Sequence, residues 1–236
     1  YQNMLSGTLP PELGNCPYTF YFIASNNQLT GTIPASFGSW VYLEYIELDY
    51  NTLSGPIPPE FGNLRSAYFF QFNNNALSGT LPVELGSMER TVYFVMNENM
   101  ITGPLPNALI SGMPELFSFN VGGNEMTGPL PGAIGALPYF QYLNLYLNHF
   151  TGTLPESYSS LSALQYFFFD RNAITGTIPT SYGGLTLVQQ FYADQNLLSG
   201  TIPETLGYIH FMQFLTLERN MLTGTIPASF AKMRYL

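Results

Sequence analysis

Asn172-Ala173-Ile174-Thr175-Gly176-Thr177-Ile178-Pro179 is the stretch that decides how this chain folds, because a version of it returns ten times. Aligned on its asparagine, the series runs Asn3, Asn27, Asn51, Asn75, Asn99, Asn124, Asn148, Asn172, Asn196 and Asn220, at intervals of 24 residues except for the 25 between Asn99 and Asn124. A glycine follows each asparagine by four positions, from Gly7 to Gly224, and a proline follows by seven, from Pro10 to Pro227. Self-similarity at such a period marks a solenoid, in which each unit buries its apolar side only against its neighbours.

The residues ahead of each asparagine give the local geometry. Apolar side chains stand eight, five and three positions before it, as in Leu164, Phe167 and Phe169 or Leu43, Ile46 and Leu48. The last two are spaced by two, the period of a short strand with one face buried, so nine complete parallel strands are expected ahead of Asn27 through Asn220. The asparagine then turns inward, where its amide can bond the backbone of its own and the adjoining coil. Asn27, Asn51, Asn75, Asn99, Asn124, Asn148, Asn172, Asn196 and Asn220 are therefore read as a structural ladder. Downstream, the proline lacks an amide donor and ends a short second strand. Segments such as Ala35-Ser36-Phe37-Gly38 and Glu204-Thr205-Leu206-Gly207 suit a single turn of 3₁₀ or α helix on the convex side, closed by glycine. The extra residue of the fifth unit falls within Leu109-Ile110-Ser111-Gly112-Met113, where it is expected to bulge outward and leave the strands in register.

The unit these residues spell, LxxLxLxxNxLTGTIPxxLGxL, resembles the plant-type leucine-rich repeat of plant receptor-kinase ectodomains, polygalacturonase-inhibiting proteins and extracellular proteins of algae and other protists. The resemblance covers residues 1–236 as one array. It implies an α/β repeat solenoid: a right-handed superhelix with a parallel concave sheet, short second strands and short 3₁₀ or α convex turns. It also implies an extracellular or cell-surface setting. Family members commonly carry cysteine-paired caps, and neither end here has a capping sequence, so the chain reads as a segment of a longer protein. On function the resemblance says less, since one scaffold serves very different partners.

Composition narrows the partners. Charged residues make up 9% and aromatics 16%, and 6 Lys+Arg against 15 Asp+Glu leave a net charge of −9. Phosphate binding needs a basic stripe, which this chain lacks, so nucleic acid is not an expected partner. No apolar run reaches the roughly 18 residues of a membrane span. The single cysteine, Cys16, excludes an internal disulfide. It occupies the position of Leu64, Leu137, Leu161 and Leu185 in other units, which reads as a buried, inert thiol.

Side chains between the buried strand positions face outward on the concave sheet. Six residues before each asparagine stand Tyr21, Tyr45, Phe69, Tyr93, Ser118, Tyr142, Tyr166, Gln190 and Phe214. With strands about 4.8 Å apart, these rings are expected to stack as a continuous row. One reading makes them cross-strand pairs that merely suit a sheet; the sharper one makes them a binding surface. Its centre would be Tyr142, Tyr146, Tyr166, Phe168 and Tyr192. Beside them, Asp170, Asp194 and Glu218 place carboxylates in three consecutive units, read as a stripe neutralised by Arg171 and Arg219, as a contact for a basic or hydroxyl-bearing partner, or as a calcium site.

Catalysis finds no foothold. His149 and His210 lie at non-equivalent positions with no nucleophile tied to either by spacing, and no metal or cofactor motif occurs. The expected function is non-enzymatic recognition of a protein, peptide or glycan through the concave aromatic and acidic face. The alternative is a structural or adhesive role in which copies of the chain assemble into filaments or matrix. A third, ice binding, rests on the Thr-Gly-Thr ladder at residues 30–32, 151–153, 175–177 and 223–225.

Overall fold

The computed structural model describes residues 3–236. Nine three-residue strands, from Tyr21–Ile23 to Phe214–Thr216, form one parallel sheet in sequence order, each one unit after the last. Registers such as Tyr142↔Tyr166 and Tyr166↔Gln190 place equivalent positions of successive units side by side. The second strands form a seven-stranded and a three-stranded sheet. An isolated bridge between Thr153 and Thr175 continues the ladder from one to the other.

Each apolar triplet of the repeat points into the space between these layers. Leu43, Ile46, Leu48, Leu164, Phe167 and Phe169 are all fully buried. Equivalent phenylalanines stack along the axis, Phe70 on Phe94 at 5.2 Å and Phe94 on Phe119 at 5.1 Å between centroids. Where tyrosine replaces leucine in the convex turn, its hydroxyl must find a partner indoors. Tyr158 donates to the Pro131 carbonyl at 3.1 Å and Tyr182 to the Pro155 carbonyl at 3.0 Å.

The ladder asparagines close each turn. Asn148 accepts from the Met126 amide at 2.9 Å, and its Nδ2 donates to the carbonyls of Val121, Leu145 and Tyr146 at 3.0, 3.3 and 3.1 Å. The residue just before each asparagine is left-handed even where it is not glycine: Tyr50, Glu98, Leu147 and Arg171 have φ between 46° and 55°. Nothing in those side chains advertises the conformation, which the turn into the ladder imposes.

The proline seven positions on is the residue at which each convex turn begins. Pro34 has φ −68°, and its carbonyl accepts from the Phe37 amide at 3.1 Å. The glycine of that turn does not close it by a left-handed cap. Gly38 lies inside the 3₁₀ helix Ala35–Ser39, and a Cβ built on it would stand 2.5 Å from the Glu60 carbonyl oxygen of the next coil. It is there because adjoining coils come too close for any side chain.

Two further expectations need correcting. The fifth unit's extra residue does not bulge outward: its turn widens to the α-helix Asn107–Ser111, and Leu109 and Ile110 are both fully buried. The strands stay in register, with Ser118 opposite both Tyr93 and Tyr142. Cys16 is exposed. It belongs to the first described coil, and the equivalent position of the second coil is filled by Trp40, whose indole donates to the Leu13 carbonyl at 3.0 Å.

Candidate binding face

The outward side of the nine-stranded sheet carries the aromatic row, but in two blocks. Tyr21, Tyr45, Phe69 and Tyr93 stack in succession with centroids 5.1, 5.2 and 4.2 Å apart. The row stops at Ser118, which has no ring and is buried. It resumes with Tyr142 and Tyr166 at 5.8 Å, then steps sideways where Gln190 interrupts the column. Phe168 meets Tyr142 edge-on at 5.6 Å and Tyr192 at 4.9 Å, and Tyr192 meets Phe214 edge-on at 6.5 Å. The continuous stack expected from spacing alone fails because side-chain identity, not strand pitch, decides where rings meet.

The blocks differ in freedom. Tyr21 is 60% exposed, and its hydroxyl donates to Glu44 at 3.3 Å; the Glu44 charge pushes its pKa up. Beside this block a cavity of about 170 Å³ is lined by Glu44, Tyr45, Ser66, Tyr68 and Arg90. In the second block Phe214 is 50% exposed, while Tyr142, Tyr166, Phe168 and Tyr192 are partly buried. A cavity of about 670 Å³ at the last coil, between His210, Phe211, Lys232, Arg234 and Tyr235, includes none of the candidate residues.

Between the blocks lies an arrangement that the repeat pattern did not reveal. Gly122 and Gly123 occupy the two positions before Asn124, and the Tyr146 ring lies across the gap they leave. A Cβ on Gly122 would run into that ring, and one on Gly123 would stand 2.6 Å from Glu98 Oε1. The Tyr146 hydroxyl donates to Glu98 Oε1, two coils away. Burial, then the Glu98 carboxylate, pushes its pKa up to about 12. Tyr146 is therefore a brace across three coils rather than a free anchor. The double glycine directly before the ladder asparagine, found in no other unit, was the signal that could have found it.

The acidic stripe is also uneven. Asp194 is well served: Thr216 Oγ1 donates to it at 2.7 Å and Gln195 Nε2 at 3.3 Å. Glu218 is exposed. Asp170 is half-buried with its pKa raised to about 6, first by desolvation and then by the Asp194 charge, which its own backbone amide and Arg171 oppose only in part. Arg171, exposed on its left-handed turn, offsets the Asp170 shift only in part. As for calcium, no three His, Cys, Asp or Glu side chains are grouped closely enough to hold a metal among the described residues.

A pH dependence follows. An acid whose folded pKa lies above its unfolded value favours folding least when ionised. The cost is absent below the ordinary value of 3.8 and complete above about 6. Raising the pH through that window is expected to lower stability through Asp170 by about 1 kcal/mol, allowing for the solvent screening of a half-exposed group. Denaturation midpoints of Asp170→Asn compared with the parent at pH 4 and pH 7 check this: the variant should gain relative stability at the higher pH, and an unchanged difference would refute it.

The threonines of the Thr-Gly-Thr ladder are exposed, and some of them also bond or pack between coils. Thr175 and Thr223 donate their hydroxyls to carbonyls of the preceding coil at 2.9 and 3.3 Å. The second threonine packs its methyl over the next coil's left-handed glycine, as Thr153 does on Gly176.

Comparison with known proteins agrees with this geometry. The family model described as Leucine Rich Repeat matches residues 20–40, 42–64, 139–161 and 211–233. Among solved structures, the chain is similar to the Arabidopsis receptor kinase HAESA in complex with the peptide hormone IDA and the co-receptor SERK1, with 30% identity and a TM-score of 0.94 over 99% of this chain and 39% of that one. It is also similar to a TDR receptor, with 26% identity and a TM-score of 0.88 over 100% of this chain and 45% of that one. A plant ice-binding protein, with 21% identity and a TM-score of 0.81 over 95% of this chain and 72% of that one, shares the fold alone. The chain spans less than half the length of either receptor structure. No curated protein sequence matches it. No helix among the described residues is long and apolar enough to cross a membrane.

Proposed function

We propose that this chain, a leucine-rich-repeat solenoid similar to plant receptor-kinase ectodomains, is a non-enzymatic, extracellular recognition module. It holds an extended peptide or protein segment across the outward face of its nine-stranded sheet. One observation carries this reading: Tyr142, Tyr166, Phe168, Tyr192 and Phe214 form a contiguous block of partly open rings on a rigid sheet. Such rings supply large contact area with few rotatable bonds to immobilise. The HAESA structure is a complex with a peptide hormone; the reading carries peptide capture to this chain, with its own residues as anchors. Asp170, Asp194 and Glu218 border the block, and Tyr21, Tyr45, Phe69 and Tyr93 form a second contact region beyond the Tyr146 brace.

The test uses peptides selected on the intact chain from a random-peptide display library. Tyr166→Ala is expected to weaken their binding by about 2 kcal/mol, roughly 30-fold, with little loss of fold. Equal affinity in calorimetry, with an unchanged thermal midpoint, would remove Tyr166 as an anchor. Should the parent chain sediment as an oligomer that Tyr166→Ala dissociates, the face instead joins copies of this chain in a structural assembly.

A further inference from the structure

The charge and shape of the second aromatic block specify the chemistry of its occupant. We propose that this part of the sheet face receives an arginine side chain of an extended peptide, its guanidinium laid over the Phe168 and Tyr192 rings and paired with the Asp170 carboxylate. The inference rests on the peptide-recognition reading and sharpens it.

Three observations favour a guanidinium. First, the two carboxylates on adjacent strands are not equivalent. Asp194 is occupied by Thr216 and Gln195. No side chain among the described residues donates a hydrogen bond to Asp170, although it is half-buried. A half-buried carboxylate is stabilised by a cation with hydrogen-bond donors, and a ligand can supply what the fold does not. Second, the adjacent rings suit a flat cation. Phe168 and Tyr192 lie 4.9 Å apart at 42°, and Phe168 and Asp170 share one side of the same short extended segment. A guanidinium stacks on aromatic faces while its fork pairs with a carboxylate, whereas an ammonium offers no plane to stack. Third, the opposite border of the block provides for a peptide backbone. Gln165 donates to Gln141 at 2.9 Å and Gln189 to Gln165 at 3.4 Å. This row of amides leaves the Gln141 Nε2 and Gln189 Oε1 ends to meet main-chain groups. The chain's net charge of −9 adds attraction at longer range.

The groups that set the charge of this spot are few. Asp194 adjoins Asp170 on the next strand, Arg171 follows it in sequence, and Tyr146 with its partner Glu98 comes from the preceding coils. Pairing with arginine removes the disadvantage of ionised Asp170, so binding is expected to strengthen as the pH rises from 5 to 7.

The experiment takes peptides recovered from the display library, then resynthesises each with citrulline, the neutral isostere, in place of arginine. Binding to the parent chain, to Asp170→Asn and to Tyr166→Ala is measured by calorimetry. Arginine is expected to be enriched among recovered peptides, and citrulline to weaken binding by about 10-fold or more. Asp170→Asn is expected to lose a similar factor, with no further loss when citrulline and the variant are combined. If citrulline peptides bind as tightly as arginine ones, or Asp170→Asn is indifferent while Tyr166→Ala still weakens binding, the arginine inference fails and the peptide reading stands. If no peptide is recovered, or cellohexaose is bound in place of peptides, both fail.

Discussion

Replacing Gly183 by alanine is expected to destabilise the protein by about 2 to 3 kcal/mol, whereas the same change one residue later, at Gly184, is expected to be neutral or stabilising by about 0.5 kcal/mol. Both glycines belong to the 3₁₀ helix Thr180–Gly184, and neither has a positive φ. The difference lies in the neighbouring coil. A Cβ on Gly183 would stand 2.6 Å from both the carbonyl oxygen and the Cβ of Thr205, and backbone cannot step aside as a side chain can. At Gly184 the nearest atom is the Ser159 carbonyl oxygen at 3.7 Å, an ordinary contact, so alanine there mainly restricts the unfolded chain. Because each coil touches only its neighbours, the damage should be local: hydrogen exchange is expected to accelerate first in the turns Thr180–Gly184 and Glu204–Tyr208. Equal effects of the two substitutions on the denaturation midpoint would show that coil spacing does not govern these positions.

That pair also marks where sequence reading stops. The period placed every strand, the asparagine ladder and the proline at the start of each convex turn, because one local pattern repeated ten times must find one local solution. It could not tell that the convex glycines answer to a clash between coils rather than to a left-handed cap, since both demands select the same residue. The left-handed site before each asparagine was likewise hidden, because Tyr50, Leu147 and Arg171 have no feature that requests it.

The candidate face was legible as positions but not as contacts. Spacing alone put Tyr142, Tyr166, Phe168 and Tyr192 on one side of the sheet. Whether adjacent rings meet depends on rotamers and on interruptions such as Ser118 and Gln190, and these divided the row. Tyr146 shows the same limit: its partner Glu98 is 48 residues away, a separation that no single unit encodes. The uneven fates of Asp170 and Asp194 depend on Thr216 and Gln195, whose donors had no reason to be singled out beforehand.

The ladder itself gives the other large effect. Asn148→Ala is expected to cost about 3 kcal/mol, because it strands a buried donor and withdraws three donated hydrogen bonds at once. The Met126 amide sits beside a fully buried side chain and has Asn148 Oδ1 as its partner at 2.9 Å. The carbonyls on the other side are less exposed to loss. Val121 O also accepts from Asn124 Nδ2 at 3.0 Å, and Leu145 O from Asn172 Nδ2 at 3.0 Å, so each keeps one bond. The orphaned amide therefore accounts for most of the penalty. At the start of the ladder, Asn27 accepts from the Leu5 amide at 3.0 Å, but Leu5 is 57% exposed and water can replace the lost acceptor. Asn27→Ala should consequently cost less than about 1 kcal/mol. Asn148→Asp separates the two functions of the amide: it retains an acceptor for Met126 but turns a second carboxylate oxygen toward the carbonyls of Val121, Leu145 and Tyr146. Its folded-state pKa should rise, so its stability, unlike that of Asn148→Ala, should recover as the pH falls and the carboxyl regains a proton to donate. Urea denaturation of the three variants at pH 4 and pH 7 checks the order; equal losses at Asn27 and Asn148 would overturn the orphaned-amide account.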